Sequence, residues 1–330
     1  MVTARRSGAP TIRDVARLAR VSPQTVSRVL NTPEKVKPET RGQVLAVIDQ
    51  LGYRRSPLAL ALATQRSGAV GVIDSGSGVI GQELLVTATE MALRDEGYSP
   101  RVVVVRAGMP EELDKAFKVL RDEMVEGFIV MGNTTRHVRE VFRFLDDAPT
   151  VLVASNEPAH GRVSTVAADQ FAGSRRVMEH LRQYGPRIGM ITGPAGWLDS
   201  DCRVSIWREC APDPSGLYLR YGDWTAESGF LAMQELLKIG VDSVFAGNDY
   251  MALGAVWACV SEGLRVPDDV AIAGFDDMPG ADFANPPLTT VRQPFAEVGR
   301  TAAELLDELI REGDARSVVL PTELVVRRSA

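Results

Sequence analysis

The chain has 330 residues, of which 45% are hydrophobic and 24% charged, and its formal net charge is −6. This length allows a large core and two or three domains. The first residues lack the apolar stretch of an export signal, and no run approaches the roughly 20 apolar residues of a membrane helix, so we expect a cytoplasmic protein with no membrane partner.

Basic charge is concentrated near the N-terminus. Residues 1–66 contain twelve Lys or Arg against four Asp or Glu, a balance of +8, which leaves −14 for residues 67–330. A small basic segment joined to a large acidic one is typical of proteins in which only the first segment contacts phosphates.

Two short helices are predicted between residues 11 and 31. Ile12, Val15 and Ala19 recur at helical spacing and give the first helix an apolar stripe. Ser22 then occupies an N-cap position and Pro23 the first helical position, so a second helix begins there after about one turn.

The second helix has a polar outer face. Val26, Val29 and Leu30 face the first helix, which leaves outward Pro23, Gln24, Ser27 and Arg28. Gln pairs with adenine edges and Arg with guanine in a major groove, so the segment predicts a helix-turn-helix. The alternative is a pair of helices in an ordinary helical core, but the basic charge of the segment favours DNA.

A third helix is predicted from Pro38 to Leu51, with Gly52 ending it. Its core side chains are predicted to be Val44, Leu45, Val47, Ile48 and Leu51. A linker of good helix formers follows, and a helix this short is marginal in water on its own.

From Ala69 onward, strands alternate with helices. The predicted strands are 69–74, 101–105, 127–132, 150–155, 187–193, 216–224, 243–249 and 270–277. The predicted helices are 82–95, 111–123, 135–144, 170–184, 203–209, one after Thr225, and 251–261. Two such series indicate an α/β fold with two lobes of doubly wound parallel sheet. After Thr290 a helix (296–312) and a single strand (318–328) complete the chain.

Several segments resemble one known family. TIRDVARLARVSPQTVSRVLN and VKPETRGQVLAVIDQLGY, followed by GDWTAESGF, VFAGNDYMALGA, VPDDVAIAGFDD and PPLTTVRQP, are similar to the lactose/galactose repressor (LacI/GalR) family over nearly the full chain. One departure is Arg20, where the family usually has Gly; a positive φ would strain an Arg mildly.

The resemblance implies a domain organisation. Residues 10–54 would form a three-helix DNA-binding headpiece and 55–66 a hinge helix. Residues 67–330 would form a periplasmic-binding-protein-like core for effector binding and dimerisation. Its first lobe would comprise 67–167 and 291–325, and its second lobe 168–290.

The resemblance also implies functional residues. DNA contacts fall on Thr11, Ser22, Pro23, Gln24, Thr25, Ser27, Arg28 and Asn31, with Leu62 of the hinge as a wedge in the minor groove. Sugar contacts fall on Arg203, Trp224, Asn248 and Asp276. The residues themselves support two of these, because Asn248 and Asp276 end predicted strands, where ligands of open α/β sheets bind. Related repressors often have an Asp where this chain has Ala154, which leaves the identity of the sugar open.

One motif favours a different function. Residues 76–81 form a GxGxxG after the first strand and before a helix, the setting of a dinucleotide site. The second strand, however, runs into Arg106 without the acidic residue that binds a ribose. We therefore interpret the loop as a wall of the effector cleft, and a nucleotide-dependent enzyme remains the alternative. A sugar-binding module without a DNA function is another, although it would normally have an export signal and no basic headpiece.

Cysteine and histidine spacing predicts no metal site. Cys202, Cys210 and Cys259 are an odd number without paired spacing, and the histidines do not cluster with them. No catalytic set is recognisable either. We therefore expect a transcriptional regulator without enzymatic activity, cofactor or metal. It would repress carbohydrate-utilisation genes as a homodimer or tetramer on a near-palindromic double-stranded operator, and a sugar would release it or retain it there.

Overall fold

The computed structural model describes residues 10–53, 66–76, 79–106, 109–145, 148–213 and 216–330. The chain divides into two units, the first ending at Ser67 and the second beginning at Gly68. Leu62 and the rest of the expected hinge helix, except Arg66, lie outside the described residues. None of the described helices is long and apolar enough to cross a membrane.

Residues 10–53 of the first unit contain three α-helices, which are α1 (Ile12–Leu18), α2 (Pro23–Asn31) and α3 (Pro38–Leu51), with a 3-10 turn at Pro33–Lys35. Its buried core consists of Val15, Ala16, Ala19, Val26, Val29 and Val44. The helix-turn-helix and the third helix are therefore confirmed. Gly52 ends α3 in the left-handed conformation, with φ 60°.

Two expectations for this unit have different outcomes. Arg20, in the turn between α1 and α2, has φ +50°, so the predicted positive φ is confirmed. The predicted core position of Leu45 is wrong, because its side chain is 48% exposed. Val44 is the fully buried residue of α3 and Ile48 lies one turn further along. Leu45, about 100° around the helix from Val44, therefore points away from this core.

The second unit contains two parallel sheets. The first has the strand order β11-β5-β4-β3-β1-β2 and consists of β1 (Ala69–Asp74), β2 (Ser99–Val104), β3 (Phe128–Met131), β4 (Thr150–Val153), β5 (Val163–Ala168) and β11 (Ser317–Leu320). Its helices are α4 (Ile80–Asp95), α5 (Pro110–Asp122), α6 (Thr135–Phe144) and α11 (Phe295–Ile310). Helices α4 and α11 pack on one face, and α5 and α6 on the other. This lobe is doubly wound, as predicted.

The second sheet has the order β7-β6-β8-β9 and consists of β6 (Ile188–Thr192), β7 (Leu219–Tyr221), β8 (Ser243–Ala246) and β9 (Ala271–Ala273). Its helices are α7 (Gln170–Leu181), α8 (Leu198–Cys210), α9 (Ala226–Ile239) and α10 (Asp249–Ser261). One face packs on α7 and α8, and the other on α9 and α10.

The C-terminal segment differs from its prediction. The single strand expected at 318–328 is two strands, separated by Pro321 and Thr322. β11 lies parallel to β5 in the first sheet, whereas β12 (Glu323–Val325) pairs antiparallel with β10 (Thr290–Arg292). The last residues then pack on the second lobe, where Ile272 N–H donates to the Ser329 carbonyl over 2.7 Å.

The chain therefore passes between the two sheets three times. The crossings follow β5, β10 and β11. The first two bring Gln170, Gln293 and Phe295 to the space between the sheets, where all three line a cavity. This topology places residues of the crossing segments in the wall of the cavity between the sheets.

Candidate functional site

A cavity of about 770 Å³, including the part open to solvent, lies between the carboxyl ends of the two sheets. Each of the four residues predicted to contact an effector lines it, namely Arg203, Trp224, Asn248 and Asp276. The first lobe contributes, among others, Val79, Gly81, Gln82, Asn133 and Ser155. Val79 and Gly81 of the glycine-rich segment thus lie at the cavity wall, where a Cβ on Gly81 would be 3.6 Å from Asp276 Oδ2.

Arg203 lies on α8 and is 2% exposed. Its Nε and Nη2 donate to Gln170 Oε1 over 3.0 and 2.8 Å, and its Nη1 donates to the Gly247 carbonyl. The guanidinium stacks on Phe275, 3.9 Å from the ring centroid. Stacking and planar hydrogen bonding together fix its position.

Asp276 follows β9 and closes a chain of hydrogen bonds that begins at Arg203. Gln170 Nε2 donates to Gln293 Oε1 over 2.8 Å, and Gln293 Nε2 donates to Asp276 Oδ1 over 2.7 Å. Burial raises the pKa of Asp276 to about 6, although the Arg203 charge and the Gln293 hydrogen bond act in the opposite direction. Oδ2 remains available to a ligand hydroxyl, since Gln293 bonds Oδ1.

Asn248 and Trp224 support each other. Asn248 Oδ1 caps α10 by accepting the Met251 N–H over 2.9 Å, and Nδ2 donates to the Trp224 carbonyl over 3.0 Å. The Asn248 amide, predicted to contact the sugar, therefore has one Nδ2 hydrogen left for a ligand. Trp224 Nε1 is buried and has no hydrogen-bond partner among the described residues.

Two residues that line the cavity have a strained backbone with positive φ. Trp224 has φ +74° and Asp276 has φ +116°, conformations that L residues rarely adopt. Such strain persists only where the surroundings enforce it, and it occurs preferentially at functional sites. The Trp224 ring lies directly over Gly193, at which a Cβ would come within 2.1 Å of the indole.

A second buried carboxyl lies behind the cavity. Asp249, the first residue of α10, accepts the Met278 N–H over 2.8 Å and the Thr290 hydroxyl over 2.5 Å. Burial, with a further contribution from the neighbouring Asp276 charge, raises its pKa to about 8. Neither hydrogen-bond partner carries a positive charge, and with a pKa of about 8 this group is mainly protonated at neutral pH.

The first lobe supplies polar groups that the sequence prediction missed. Asn133 Nδ2 donates to Ser75 Oγ over 2.5 Å and also to Gln82 Oε1, and Gln82 Nε2 donates to Ser75 and to Asp74. Gln82 and Asn133 both line the cavity. Asn133 immediately follows a buried strand, GFIVMG, and that position is the signal that would have identified it.

Direct contacts join the lobes beside the cavity. Ser155 Oγ, after β4, donates to Asp199 Oδ1 at the start of α8 over 2.5 Å. The Leu198 N–H donates to the Asn133 carbonyl over 2.9 Å. Trp197 also lines the cavity and packs edge-to-face on Trp224, with ring centroids 5.6 Å apart.

In the first unit, three of the four side chains predicted on the outer face of α2 are exposed, and the fourth, Ser27, is half-buried. Ser22, Pro23, Gln24 and Arg28 are exposed. Ser22 Oγ caps α2 by accepting the Thr25 N–H over 3.0 Å. Ser27 and Thr25 are half-buried, and Asn31 is the last residue of α2.

Thr11 caps α1 through a reciprocal pair of hydrogen bonds with Asp14. Its exposed position at the helix N-terminus also suits a phosphate contact. Both the Thr11 N–H and its hydroxyl donate to Asp14 Oδ2, so the contact of Thr11 with DNA stays a prediction.

The described residues contain no group of three or more His, Cys, Asp or Glu suited to a metal ion. All three cysteines are free and buried. Burial raises the pKa of the Cys202 and Cys259 thiols to about 12, which makes them poor nucleophiles.

Comparisons with known proteins agree with this architecture. Residues 11–56 match the family of bacterial regulatory proteins called the lacI family, and residues 179–330 match a periplasmic binding protein-like domain. The HTH-type transcriptional regulator CelR of Thermobifida fusca is 34% identical over 340 residues, covering 97% of this chain and 98% of CelR.

Two solved structures are also similar. The lac repressor dimer bound to operator and the anti-inducer ONPF superposes with a TM-score of 0.88, 29% identity, and coverage of 98% of this chain and 99% of that one. The CelR–cellobiose complex has a TM-score of 0.72, 31% identity, and coverage of 97% and 100%.

A helix-turn-helix unit and a two-lobed core around a polar cavity together define a ligand-responsive DNA-binding regulator. The chain belongs to the lacI family of bacterial regulatory proteins. It is a transcriptional regulator with an effector-binding core, and the family is one of regulators rather than enzymes.

Proposed function

We propose that this chain is a sugar-responsive repressor of carbohydrate-utilisation genes that acts in the cytoplasm as a homodimer on a near-palindromic operator. The observation that carries the proposal is the cavity, which places a carboxylate, a guanidinium and an amide beside indole rings. A pyranose has one apolar face and a rim of hydroxyls, so aromatic faces and hydrogen-bonding groups suit it together. CelR, seen in complex with cellobiose, supports a sugar as the ligand class.

Within this cavity Asp276 is the principal acceptor and Trp224 the stacking surface. Asn248 contributes its remaining Nδ2 hydrogen, and Arg203 holds the hydrogen-bond chain that orients Asp276. Trp224 Nε1, which lacks a partner among the described residues, is a further donor for the ligand.

On the DNA side, we assign residues 10–54 as the headpiece, 55–66 as a hinge and 67–330 as the core. Gln24 and Arg28 would contact base edges, because both are exposed on α2. The other proposed DNA contacts are Thr11, Ser22, Pro23, Thr25, Ser27 and Asn31, with Leu62 of the hinge in the minor groove.

The effector acts by shifting an equilibrium between two arrangements of the lobes. The Ser155–Asp199 and Asn133–Leu198 contacts join the lobes beside the cavity, so a ligand there changes their relative free energies. The coupling is reciprocal: whatever factor the sugar imposes on operator affinity, the operator imposes on sugar affinity.

The test is a thermal-shift screen of mono- and disaccharides, with NAD and NADP included, on wild type and on Asp276→Ala. The substitution leaves ligand hydroxyls unpaired, so we expect sugar affinity to fall on the order of a hundredfold or more. Fluorescence anisotropy with an operator selected from random DNA should show that DNA binding survives. Asp282→Ala is the matched control, because Asp282 is exposed on the same lobe and does not line the cavity.

Two results would overturn the proposal. One is stabilisation by a dinucleotide and by no sugar. The other is a bound sugar whose affinity Asp276→Ala leaves intact.

A further inference from the structure

Arg203 is the one basic side chain among the described residues that line the cavity, and its donors are almost fully used. Nε and one Nη2 hydrogen bond Gln170, one Nη1 hydrogen bonds the Gly247 carbonyl, and Nη2 lies 3.5 Å from Asp199 Oδ2. A guanidinium has five N–H groups, so a single Nη1 hydrogen remains for a ligand. Bidentate binding of a phosphate or carboxylate by Arg203 would require breaking this network.

The cavity also contains two acidic side chains, Asp199 and Asp276. With both ionised, the charged groups lining it sum to −1. Burial is the main cause of the raised pKa of Asp276, and the Asp199 charge adds to it, so the two carboxylates repel each other. Among the described residues of the cavity, an anionic ligand would therefore meet two carboxylates and no cation other than the hydrogen-bonded Arg203.

Asp199 has the geometry of a ligand-binding group rather than of a buried structural acid. Its side chain is 39% exposed, it lies in the first turn of α8, and that helix end favours its negative charge. Oδ1 accepts the hydroxyl of Ser155, which is itself 7% exposed and lies on the opposite lobe. Ala154, next to Ser155, offers no polar side-chain atom, so the carboxylate beside Ser155 is that of Asp199.

We propose that Asp199 determines the effector specificity of this cavity, accepting a hydroxyl of an uncharged polyhydroxylated effector and excluding phosphorylated sugars and other anions. A carboxylate oxygen accepts more than one hydrogen bond, so the ligand hydroxyl is added beside Ser155 or replaces it. The inference rests on the proposed function, since it names which sugars that cavity binds.

Asp199→Asn tests this with little change in shape, and Asp201→Asn is the matched control. Asp201 lies in the same first turn of α8, is exposed and does not line the cavity, so its substitution removes the same charge from the same helix end. The probes are glucose and cellobiose, each with its 6-phosphate ester, titrated by calorimetry into the full-length protein. Thermal melts without ligand confirm that each variant is folded.

Wild type should bind a neutral sugar and discriminate against its phosphate ester by at least about tenfold. In Asp199→Asn, neutral-sugar affinity should fall roughly ten- to hundredfold, because a charged acceptor is lost, and the preference over the ester should shrink. Asp201→Asn should retain both wild-type values.

Other results separate this inference from the proposed function. A neutral sugar that binds wild type and Asp199→Asn equally overturns the role of Asp199 and leaves the regulator assignment standing. A phosphate ester that binds wild type as tightly as its parent sugar also overturns the role of Asp199 and leaves the regulator assignment standing. Binding of NAD or NADP with none of these sugars overturns both.

Discussion

Arg28 and Ser22 lie on the same helix but should contribute differently to DNA binding. Arg28 is exposed on α2, whereas Ser22 caps that helix. Arg28→Ala should therefore cost about 1–3 kcal/mol on the operator and weaken base preference. Ser22→Ala should cost about 1 kcal/mol of helix stability with less effect on specificity. Fluorescence anisotropy on operator and scrambled DNA distinguishes them, and equal losses on both DNAs for Arg28→Ala would contradict base reading.

Asp249 should make the stability of the core depend on pH. Burial raises its pKa from the ordinary 3.8 to about 8, so between these values the folded chain holds a proton that the unfolded chain has released. Stability then falls as pH rises from about 4 to about 8, by up to about 1.4 kcal/mol per pH unit, and is constant above.

Asp249→Asn removes this dependence because an amide mimics the protonated acid. Its oxygen can accept the Met278 N–H, as Asp249 does, and its nitrogen can donate to Thr290 Oγ once that hydroxyl rotates to accept instead of donating. The difference in free energy of unfolding between the variant and wild type, measured by urea denaturation, should grow from pH 5 to pH 8. A constant difference across that range would show that Asp249 is ionised in the folded protein.

Strand ends made part of the site predictable. Asn248 and Asp276 follow apolar strands, and parallel topology alone brings such positions together. Gln170 and Gln293 were not predictable in this way. They are 123 residues apart, and only the passage of the chain between the sheets makes them neighbours, 2.8 Å from nitrogen to oxygen.

At the scale of elements, α9 and α10 are packed unusually closely, and glycine permits it. A Cβ on Gly254 would lie 1.9 Å from the Ala226 carbonyl oxygen, and one on Gly229 would lie 2.2 Å from the Met251 carbonyl oxygen. Both obstacles are backbone atoms, so the helices would have to separate.

Gly254→Ala should therefore destabilise the core by about 1–3 kcal/mol. The expected sign is opposite to that at an uncrowded helix position, where Ala is more stable than Gly by about 1 kcal/mol. Gly42→Ala is the control, because nothing lies within 4 Å of a Cβ on that α3 residue. It should stabilise the first unit and leave the core transition unchanged in calorimetry. A core that tolerates Gly254→Ala without loss would contradict this backbone contact.

The elements that the sequence prediction missed have identifiable physical reasons. Helix α6 was predicted at its observed bounds because Thr134 caps it and its apolar residues recur regularly. Strand β5, VSTVAA, was not predicted. It is buried at every position, so its sequence shows no alternation of apolar and polar residues, and its small and hydroxyl side chains do not form an apolar run. The prediction placed the start of α8 five residues too late. The true start lacks the usual sequence signal, because Trp197 provides no side-chain cap and the first turn is rich in Asp and Ser.

At the scale of the whole molecule, α10 presents an apolar stripe to solvent. Tyr250, Trp257 and Val260 recur at helical spacing on one face and are 38%, 63% and 47% exposed. A stable interface needs about 800 Å² from each partner, and an unpaired tryptophan is a typical anchor of one. We expect this stripe to contact the second copy in the proposed homodimer.

Trp257→Glu should therefore convert the dimer to a monomer, as measured by light scattering after size-exclusion chromatography. Operator affinity should fall on the order of a hundredfold or more, because each headpiece would then bind its half-site independently. Sugar binding should persist, since residues of one chain line the cavity. Leu217→Glu is the control: Leu217 is 50% exposed and precedes β7, an edge strand. A Trp257→Glu protein that remains dimeric would place the interface elsewhere, whereas a monomer with unchanged operator affinity would mean that one headpiece suffices.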